Sequence, residues 1–259
     1  MSNTVKREDP IRENHYRPLE LAEKISDGIF YVGVCLSIAV LIVDKKAHPS
    51  VSQFFQHVFE IVGIVFFGLG IFIRLYFFPR AEDARRKDFL SNVFNIELTH
   101  ERTVGYYNNE EKEPYRRLIL CVLENAFFSK SILLKMLALE RAKVLLCAGV
   151  FSLLVFYREG TLDWTIICVH LLFSETIISK WIRMEWLRNR AEKLFQKMIS
   201  LISVHPKNAL IQVHAIDLFG EYETGKTLCG ILQSGSVFEK MNPCLSLEWE
   251  KIKKSLASI

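Results

Sequence analysis

The sequence predicts an all-α membrane protein, with four transmembrane helices that continue into a cytoplasmic helical bundle. Half of the 259 residues are hydrophobic, and the mean hydropathy is positive at +0.18. The apolar residues are concentrated in four blocks, whereas the stretches between them are as charged as a soluble protein. Lys and Arg are distributed unequally around these blocks, as they are around membrane helices. This composition excludes a disordered chain and a small disulfide-rich secreted protein.

Four apolar blocks are candidate transmembrane spans, at residues 28–43, 54–78, 144–157 and 164–181. The uncharged runs of the first and third spans cover roughly 21–24 Å as helix, against about 30 Å of hydrocarbon. These two spans therefore require snorkelling flanks, a locally thinner bilayer or partner helices. A large soluble bundle of very apolar helices is the alternative, and the unequal distribution of Lys and Arg favours the membrane.

The distribution of Lys and Arg also predicts the orientation of the spans. The connectors 44–53 and 158–163 hold three of these residues, whereas the flanks at the other ends of the spans hold nineteen. Because positive residues are enriched in cytoplasmic loops, both termini are predicted to be cytoplasmic. The expected segments are a cytoplasmic N-terminal segment (1–27), a transmembrane hairpin (28–78), a cytoplasmic helical and loop segment (79–143), a second hairpin (144–181) and a C-terminal cytoplasmic helical domain (182–259). Anionic headgroups account for the net charge of +4, so we expect no nucleic-acid partner.

The cytoplasmic segments are predicted to be helical. Residues 113–143 have helical periodicity and can run into the third span as one helix of about 45 residues, near 67 Å long. A helix is also expected over 209–222, and Ser246 is expected to N-cap a last short helix. After the fourth span, apolar residues recur at spacings of three and four and predict a packed seam, formed by Met184, Leu187, Ala191, Leu194, Met198 and Leu201.

Ionisable residues inside the spans are the first candidate site, namely Glu60, Arg74, His170 and Glu175. Such groups usually face the bundle interior or a water path. Arg74 and Glu175 lie at similar depth near the inner ends of the second and fourth spans, where they could pair. Glu60 and His170 each lie six residues from the outer ends of the same spans. Two such layers are expected either to be structural ion pairs or to line and gate a pore in an oligomer.

A polar, aromatic stretch between the second and third spans is the second candidate site. Its Asn and Gly residues favour tight turns and left-handed backbone conformations. The stretch could bind a ligand, or it could cap the helices by packing on them. The candidate regulatory residues share a position in the cytoplasmic segments, and they are Asn92, Asn95, Tyr106, Tyr107, Asn108, Asn109, Glu221 and Glu223.

Residues 220–227, GEYETGKT, match the pattern GxxxxGK[ST] of a phosphate-binding loop. Such a loop needs a buried strand before it and a parallel sheet behind it, whereas the preceding residues have the pattern of an amphipathic helix. Two glutamates inside the cradle would also repel a phosphate. We therefore predict an acidic helix end followed by a glycine turn, where Lys226 is solvated and its replacement changes little.

Other catalytic and metal-binding motifs are missing from the sequence. It contains no HExxH, GxSxG or dinucleotide fingerprint, and its seven histidines are isolated. The six cysteines are scattered without the spacing of metal ligands or of a disulfide framework. We therefore expect no enzyme, and we assign no catalytic residue, cofactor or metal ion.

Four stretches of the cytoplasmic segments are similar to sequences of a known group of proteins. They are RKDFLSNVFN (86–95), VGYYNNE (104–110), EYET (221–224) and LSLEWEKIK (245–253). These stretches resemble a family of bacterial four-span proteins, and the resemblance covers roughly residues 86–259. The family is associated with predicted pore-forming effectors of antiphage defence operons, encoded beside nucleotide-signalling enzymes of the CBASS type.

The resemblance implies a membrane effector that permeabilises or depolarises the bacterial inner membrane when its cytoplasmic domain is triggered, as in abortive infection. The implied partners are the lipid bilayer, further copies of the chain in a homo-oligomer, and a cyclic nucleotide or a defence-operon protein as trigger. The resemblance places no ligand site on named residues. The alternative is a non-conducting membrane-anchored sensor or scaffold that recruits a soluble partner through its cytoplasmic stalk.

Overall fold

The computed structural model describes residues 8–44, 46–104, 111–156, 175–204 and 208–257. Helix accounts for 88% of these residues, and none of them forms a β-strand. One isolated antiparallel bridge joins Glu8 to Val104. The predicted all-α class is therefore confirmed for the described part of the chain.

The described residues form seven α-helices. They are α1 (Arg17–Ile42), α2 (Pro49–Phe72), α3 (Phe78–Phe94), α4 (Pro114–Phe156), α5 (Lys180–Ser203), α6 (Asn208–Cys229) and α7 (Gly235–Ala257). Three π-helical segments of five residues adjoin them, at Arg12–Tyr16, Ile73–Phe77 and Glu175–Ser179. The π-helical segment between α2 and α3 joins these two helices into one continuous helical stretch, Pro49–Phe94.

The chain divides into two compact units. The bundle unit consists of Met1–Ile11, Glu82–Leu139 and Ile182–Ile259. The apolar unit consists of Arg12–Ala81 and Glu140–Trp181.

Five helices contribute to the core of the bundle unit, namely α3 to α7. The ring of Phe127 in α4 lies 5.8 Å from Phe195 in α5 and 6.0 Å from Trp249 in α7, measured between ring centroids. Phe89 in α3 stacks on Phe219 in α6 at 5.5 Å. Aromatic side chains bury a large apolar area each, so these contacts contribute strongly to the packing of the five helices.

The seam predicted after the fourth block is confirmed in α5. Its spacing of three and four places these residues on one face of the helix, which packs into the bundle. The buried residues of α5 are Met184, Leu187, Ala191, Leu194 and Met198, and the sixth predicted position, Leu201, is half-buried. The long helix predicted to begin near residue 113 is also present, as the 43 residues of α4.

Helices α1 and α2 pack against each other in the apolar unit. Both begin with a proline in the first turn, where the missing N–H has no helical partner to lose. The rings of Phe30 and Phe66 lie 5.9 Å apart. Gly33 faces Val62, since a Cβ at Gly33 would be in ordinary van der Waals contact with Val62 Cγ1, at 3.7 Å.

Among the described residues, one helical stretch is long and apolar enough to cross a membrane, Pro49–Phe94. Only 6% of its most apolar part is buried. This stretch contains the second predicted span, residues 54–78. The number of four spans stays a prediction.

Two predicted helix ends were wrong. Helix α6 continues to Cys229, beyond the expected end at residue 222. Ser246 lies inside α7, where its Oγ donates to Asn242 Oδ1, and the Ser234 Oγ accepts the Val237 N–H at the start of the helix instead. A proline inside a helix normally breaks it, but apolar side chains on both sides of Pro243 pack against the bundle core and keep α7 continuous.

Candidate functional site

The candidates inside the apolar blocks are only partly within the described residues. Glu60 is exposed on α2, and its Oε1 accepts a hydrogen bond from Gln56 Nε2 at 3.4 Å. Arg74 is exposed in the π-helical segment after α2. His170 lies outside the described residues, and of Glu175 the structure describes only the backbone. The two predicted layers, Arg74 with Glu175 and Glu60 with His170, therefore stay predictions.

The bundle unit contains a mostly buried ion cluster, formed by Glu82, Glu223 and Lys226. The Lys226 Nζ lies 2.6 Å from Glu82 Oε2 and 3.6 Å from Glu223 Oε1. The three side chains are only 11–18% exposed. Lys226 also lies over the ring of Tyr222, with Nζ 5.4 Å from the ring centroid. The ammonium is thus surrounded by two carboxylates and an aromatic face, each of which attracts a cation.

Hydroxyl and amide groups extend this ion cluster. The Ser129 Oγ lies 3.2 Å from the Tyr222 hydroxyl and accepts a hydrogen bond from Gln233 Nε2 at 2.9 Å. Helix α3 supplies Glu82, α4 supplies Ser129, and α6 supplies the remaining charged groups, while Gln233 precedes α7. Three regions that are distant in sequence, namely α3, α4 and the end of α6 with Gln233 after it, therefore meet at one polar junction inside the bundle.

Burial perturbs the acids of this junction. It raises the pKa of the Glu223 carboxyl above its ordinary value, and the neighbouring Lys226 acts in the opposite direction. Burial likewise raises the pKa of the Tyr222 hydroxyl. The other charges that act on Glu223 are Glu82, which raises the pKa of its carboxyl, and Arg86, which lowers it.

The match to a phosphate-binding loop lies inside helix α6. Its backbone N–H groups are therefore used by the helix itself and cannot surround a phosphate. The predicted turn was wrong, and so was the prediction that Lys226 is solvated, because Lys226 is paired inside the bundle. Gly225 is there for close packing, since a Cβ at this position would lie 2.9 Å from Arg190 Cδ.

Glu221 belongs to a second, more exposed network between α5 and α6. Its carboxylate lies 3.0 Å from Lys197 Nζ and 3.9 Å from Arg190 Nη2. Lys197 also reaches Asp217 at 3.4 Å. The hydrogen bond with Glu221 raises the pKa of Lys197. Because Lys197 is 49% exposed, we expect this network to contribute little to stability.

The described part of the polar stretch is fastened to α3. Asn92 lies in α3 and donates from Nδ2 to the backbone oxygen and side chain of Asp88, at 2.8 and 3.0 Å. Asn95 adopts the left-handed conformation at the end of α3, with φ of 55°. The fully buried Asp88 carboxylate accepts two hydrogen bonds from Thr103, at 2.9 Å from its N–H and 2.7 Å from its hydroxyl.

These hydrogen bonds hold the described part of the polar stretch, up to residue 104, against the bundle as a cap. The other four candidates of the stretch, Tyr106, Tyr107, Asn108 and Asn109, lie outside the described residues. Ligand binding by this part of the chain stays a prediction.

A narrow crevice borders the ion cluster. Its polar walls are formed by Ser129, Arg190, Glu221, Tyr222, Lys226 and Gln233. The crevice has room for about one water molecule. The junction is therefore a buried ionic contact between helices rather than a pocket for an organic ligand.

The sequence did not predict that the residues of the ion cluster come together. Glu82 and Lys226 are 144 positions apart, and no local pattern connects them. One local signal was present, because Glu223 and Lys226 are three residues apart and share a face if residues 220–227 are helical. The glycine-rich match obscured that signal. Asp88 likewise gave no sign of burial, since it follows a run of three charged residues, 85–87.

No family model, no curated protein and no solved structure matches the chain. Its function must therefore be inferred from its own residues, from their geometry and from the resemblance carried by the four stretches quoted above.

Proposed function

We propose that this protein is a membrane effector of antiphage defence, which permeabilises or depolarises the bacterial inner membrane when its cytoplasmic part is triggered. In this proposal the apolar blocks span the membrane, both termini are cytoplasmic, and several copies assemble. The trigger is a cyclic nucleotide or a protein of the same defence operon.

The observation that carries the proposal is the uncovered apolar surface of α2. Ile61 is 60% exposed, Ile64 72% and Leu75, which follows in the π-helical segment, 74%. Leaving such side chains in water forfeits about 1.5–3 kcal/mol for each of them. A lipid bilayer removes this cost, and Pro49–Phe94 is long enough to cross one. The effector role itself is supported by the resemblance of residues 86–259 to four-span defence proteins.

A matched pair of charge insertions tests the membrane part of the proposal. Ile61 in α2 and Leu247 in α7 are similarly exposed, at 60% and 68%. If Ile61 faces lipid, Ile61→Arg should strongly reduce the amount of chain in the membrane fraction, because an arginine in hydrocarbon is costly. Leu247→Arg should be tolerated, because an exposed surface position in water accepts a charge. Equal tolerance of both variants would refute a lipid-facing α2.

The effector part is tested in living bacteria. Cells that express the full chain at graded levels are followed with a potential-sensitive dye, with and without phage infection. We expect loss of membrane potential and of viability at high expression or after infection, and the Ile61→Arg variant should lose both effects. Cells that keep their potential at every level and throughout infection would refute an effector and favour the scaffold.

A further inference from the structure

Helix α2 and the π-helical segment after it carry three distinct stripes of residues. The stripe that faces α1 is half-buried and includes Phe55, Val62, Phe66 and Leu69. A second stripe, here the outward stripe, lies about 90° around the helix from the first; it is exposed and apolar, and includes Ile61 and Phe72. The third, here the α2 stripe, is exposed at every position, and its residues are Gln53, Gln56, Glu60, Gly63, Phe67, Gly70 and Arg74.

The α2 stripe collects nearly all the polar residues of this apolar helix. Its spacings alternate between three and four, so its members share one face, about 130° around the helix from the face on α1 and on the other side from the outward stripe. Between residues 53 and 74 the one polar residue off the stripe is His57, whose Nδ1 lies 2.7 Å from the backbone oxygen of Gln53. From Gln53 to Arg74 the α2 stripe is about 31 Å long, which matches the hydrocarbon thickness of a bilayer.

Lipid is a poor occupant for this face. A glutamate and two glutamines pointing into hydrocarbon are strongly unfavourable, and such residues normally face protein or water. Gly63 and Gly70 have no bulky side chain, so another helix can come close there. The outward stripe, by contrast, is suited to lipid because it is apolar.

We propose that the α2 stripe lines a water-filled path enclosed by several copies of this chain, an inference that rests on the proposed function. All copies insert with the same topology, so their α2 helices are parallel and Glu60 of each copy lies at the depth of Glu60 in the next. Like charges at one depth repel in a dry interface, whereas a ring of carboxylates around water is the arrangement of cation pathways. Phe67, between the two glycines, forms the apolar constriction of the path.

Thiol accessibility tests this assignment in the full chain with its native cysteines replaced. The protein is reconstituted in phosphatidylethanolamine and phosphatidylglycerol vesicles and treated with a membrane-impermeant methanethiosulfonate reagent. Gln56→Cys and Gly63→Cys should react about tenfold faster or more than Ile61→Cys and Phe72→Cys, because the reactive thiolate forms only in water. Oxidation should cross-link two copies through Gly63→Cys and not through Ile61→Cys.

Vesicle leak in two further variants tests the constriction. Phe67→Ala should raise the leak of a trapped dye, whereas Phe72→Ala, the same change on the outward stripe, should not. Reactive, cross-linked stripe cysteines in vesicles that stay sealed would retain the assembly and reject the proposed conduction. Leak combined with unreactive stripe cysteines would overturn the α2 stripe as the lining and retain the proposed function. Equal reactivity at all four positions would also overturn it.

Discussion

Replacing Lys226 with methionine should destabilise the bundle unit, because it removes the one cation of a mostly buried ion cluster. The Lys226 Nζ lies 2.6 Å from Glu82 and 3.6 Å from Glu223. Methionine keeps most of the apolar stem of the side chain and removes the ammonium. Two carboxylates are then left close together, where they repel each other with little water to screen them.

The expected cost follows from the burial of these groups. Breaking a fully buried pair by removing one partner costs about 3–5 kcal/mol. The side chains here are 11–18% exposed, and Glu223 can take up a proton once its neighbour is lost. We therefore expect a loss of about 2–3 kcal/mol. For a chain of this size the midpoint of thermal unfolding should fall by roughly 5–10 °C.

Circular dichroism of the detergent-solubilised full chain measures this midpoint. Lys197→Met is the matched control, because Lys197 also contacts two acids but is 49% exposed, and it should cost no more than about 1 kcal/mol. Adding Glu82→Gln to Lys226→Met should recover part of the loss, since one carboxylate is neutralised. If Lys226→Met and Lys197→Met shift the midpoint equally, the ion cluster does not have the role described here.

Three further predictions concern topology, proton linkage and helix propensity. In a single-cysteine labelling scan, position 48 or 159 should be accessible from outside the cell and position 107 protected, and the reverse pattern would contradict the orientation. The pKa of Glu223 is raised in the folded state, so its contribution to stability is full below the ordinary carboxyl value of 4.5 and declines as pH rises through the raised value. Glu223→Gln should therefore flatten the fall in unfolding free energy above pH 4.5. An unchanged slope would exclude this linkage. Gly220→Ala should stabilise α6 by about 0.5–1 kcal/mol, because a Cβ there meets open space, and Gly225→Ala should gain less because Arg190 must move. Both glycine variants should keep full activity, and a loss in both would show that the glycines bind a ligand.

Local periodicity was sufficient to predict most of the helices. The buried face of α5 and the unbroken length of α4 depend on residues three and four apart, and that spacing is visible in the sequence. The ends of α6 and α7 were missed for a different reason. Gly225 and Pro243 have low intrinsic helix propensity, and tertiary packing against Arg190 and around Trp249 overrides it.

The candidate site was predicted in one part and missed in another. The polar residues of the apolar block, such as Glu60, stand out because their neighbours are apolar, so composition alone identifies them. The ion cluster could not be found in this way, because Glu82 and Lys226 are ordinary charged residues of amphipathic helices. Only the fold brings Lys226 Nζ within 2.6 Å of Glu82 Oε2. The spacing of neighbouring residues does not predict contacts between segments that are distant in sequence.

The electrical conductance of planar bilayers that contain the full chain shows directly whether this protein opens a water path through the membrane. With bacterial lipids and a KCl gradient, we expect discrete current steps whose reversal potential indicates a preference for cations, and Glu60→Gln should weaken that preference. Bilayers that stay at baseline conductance, although thiol labelling shows that the chain has inserted, would contradict the claim that this protein opens a water path through the membrane.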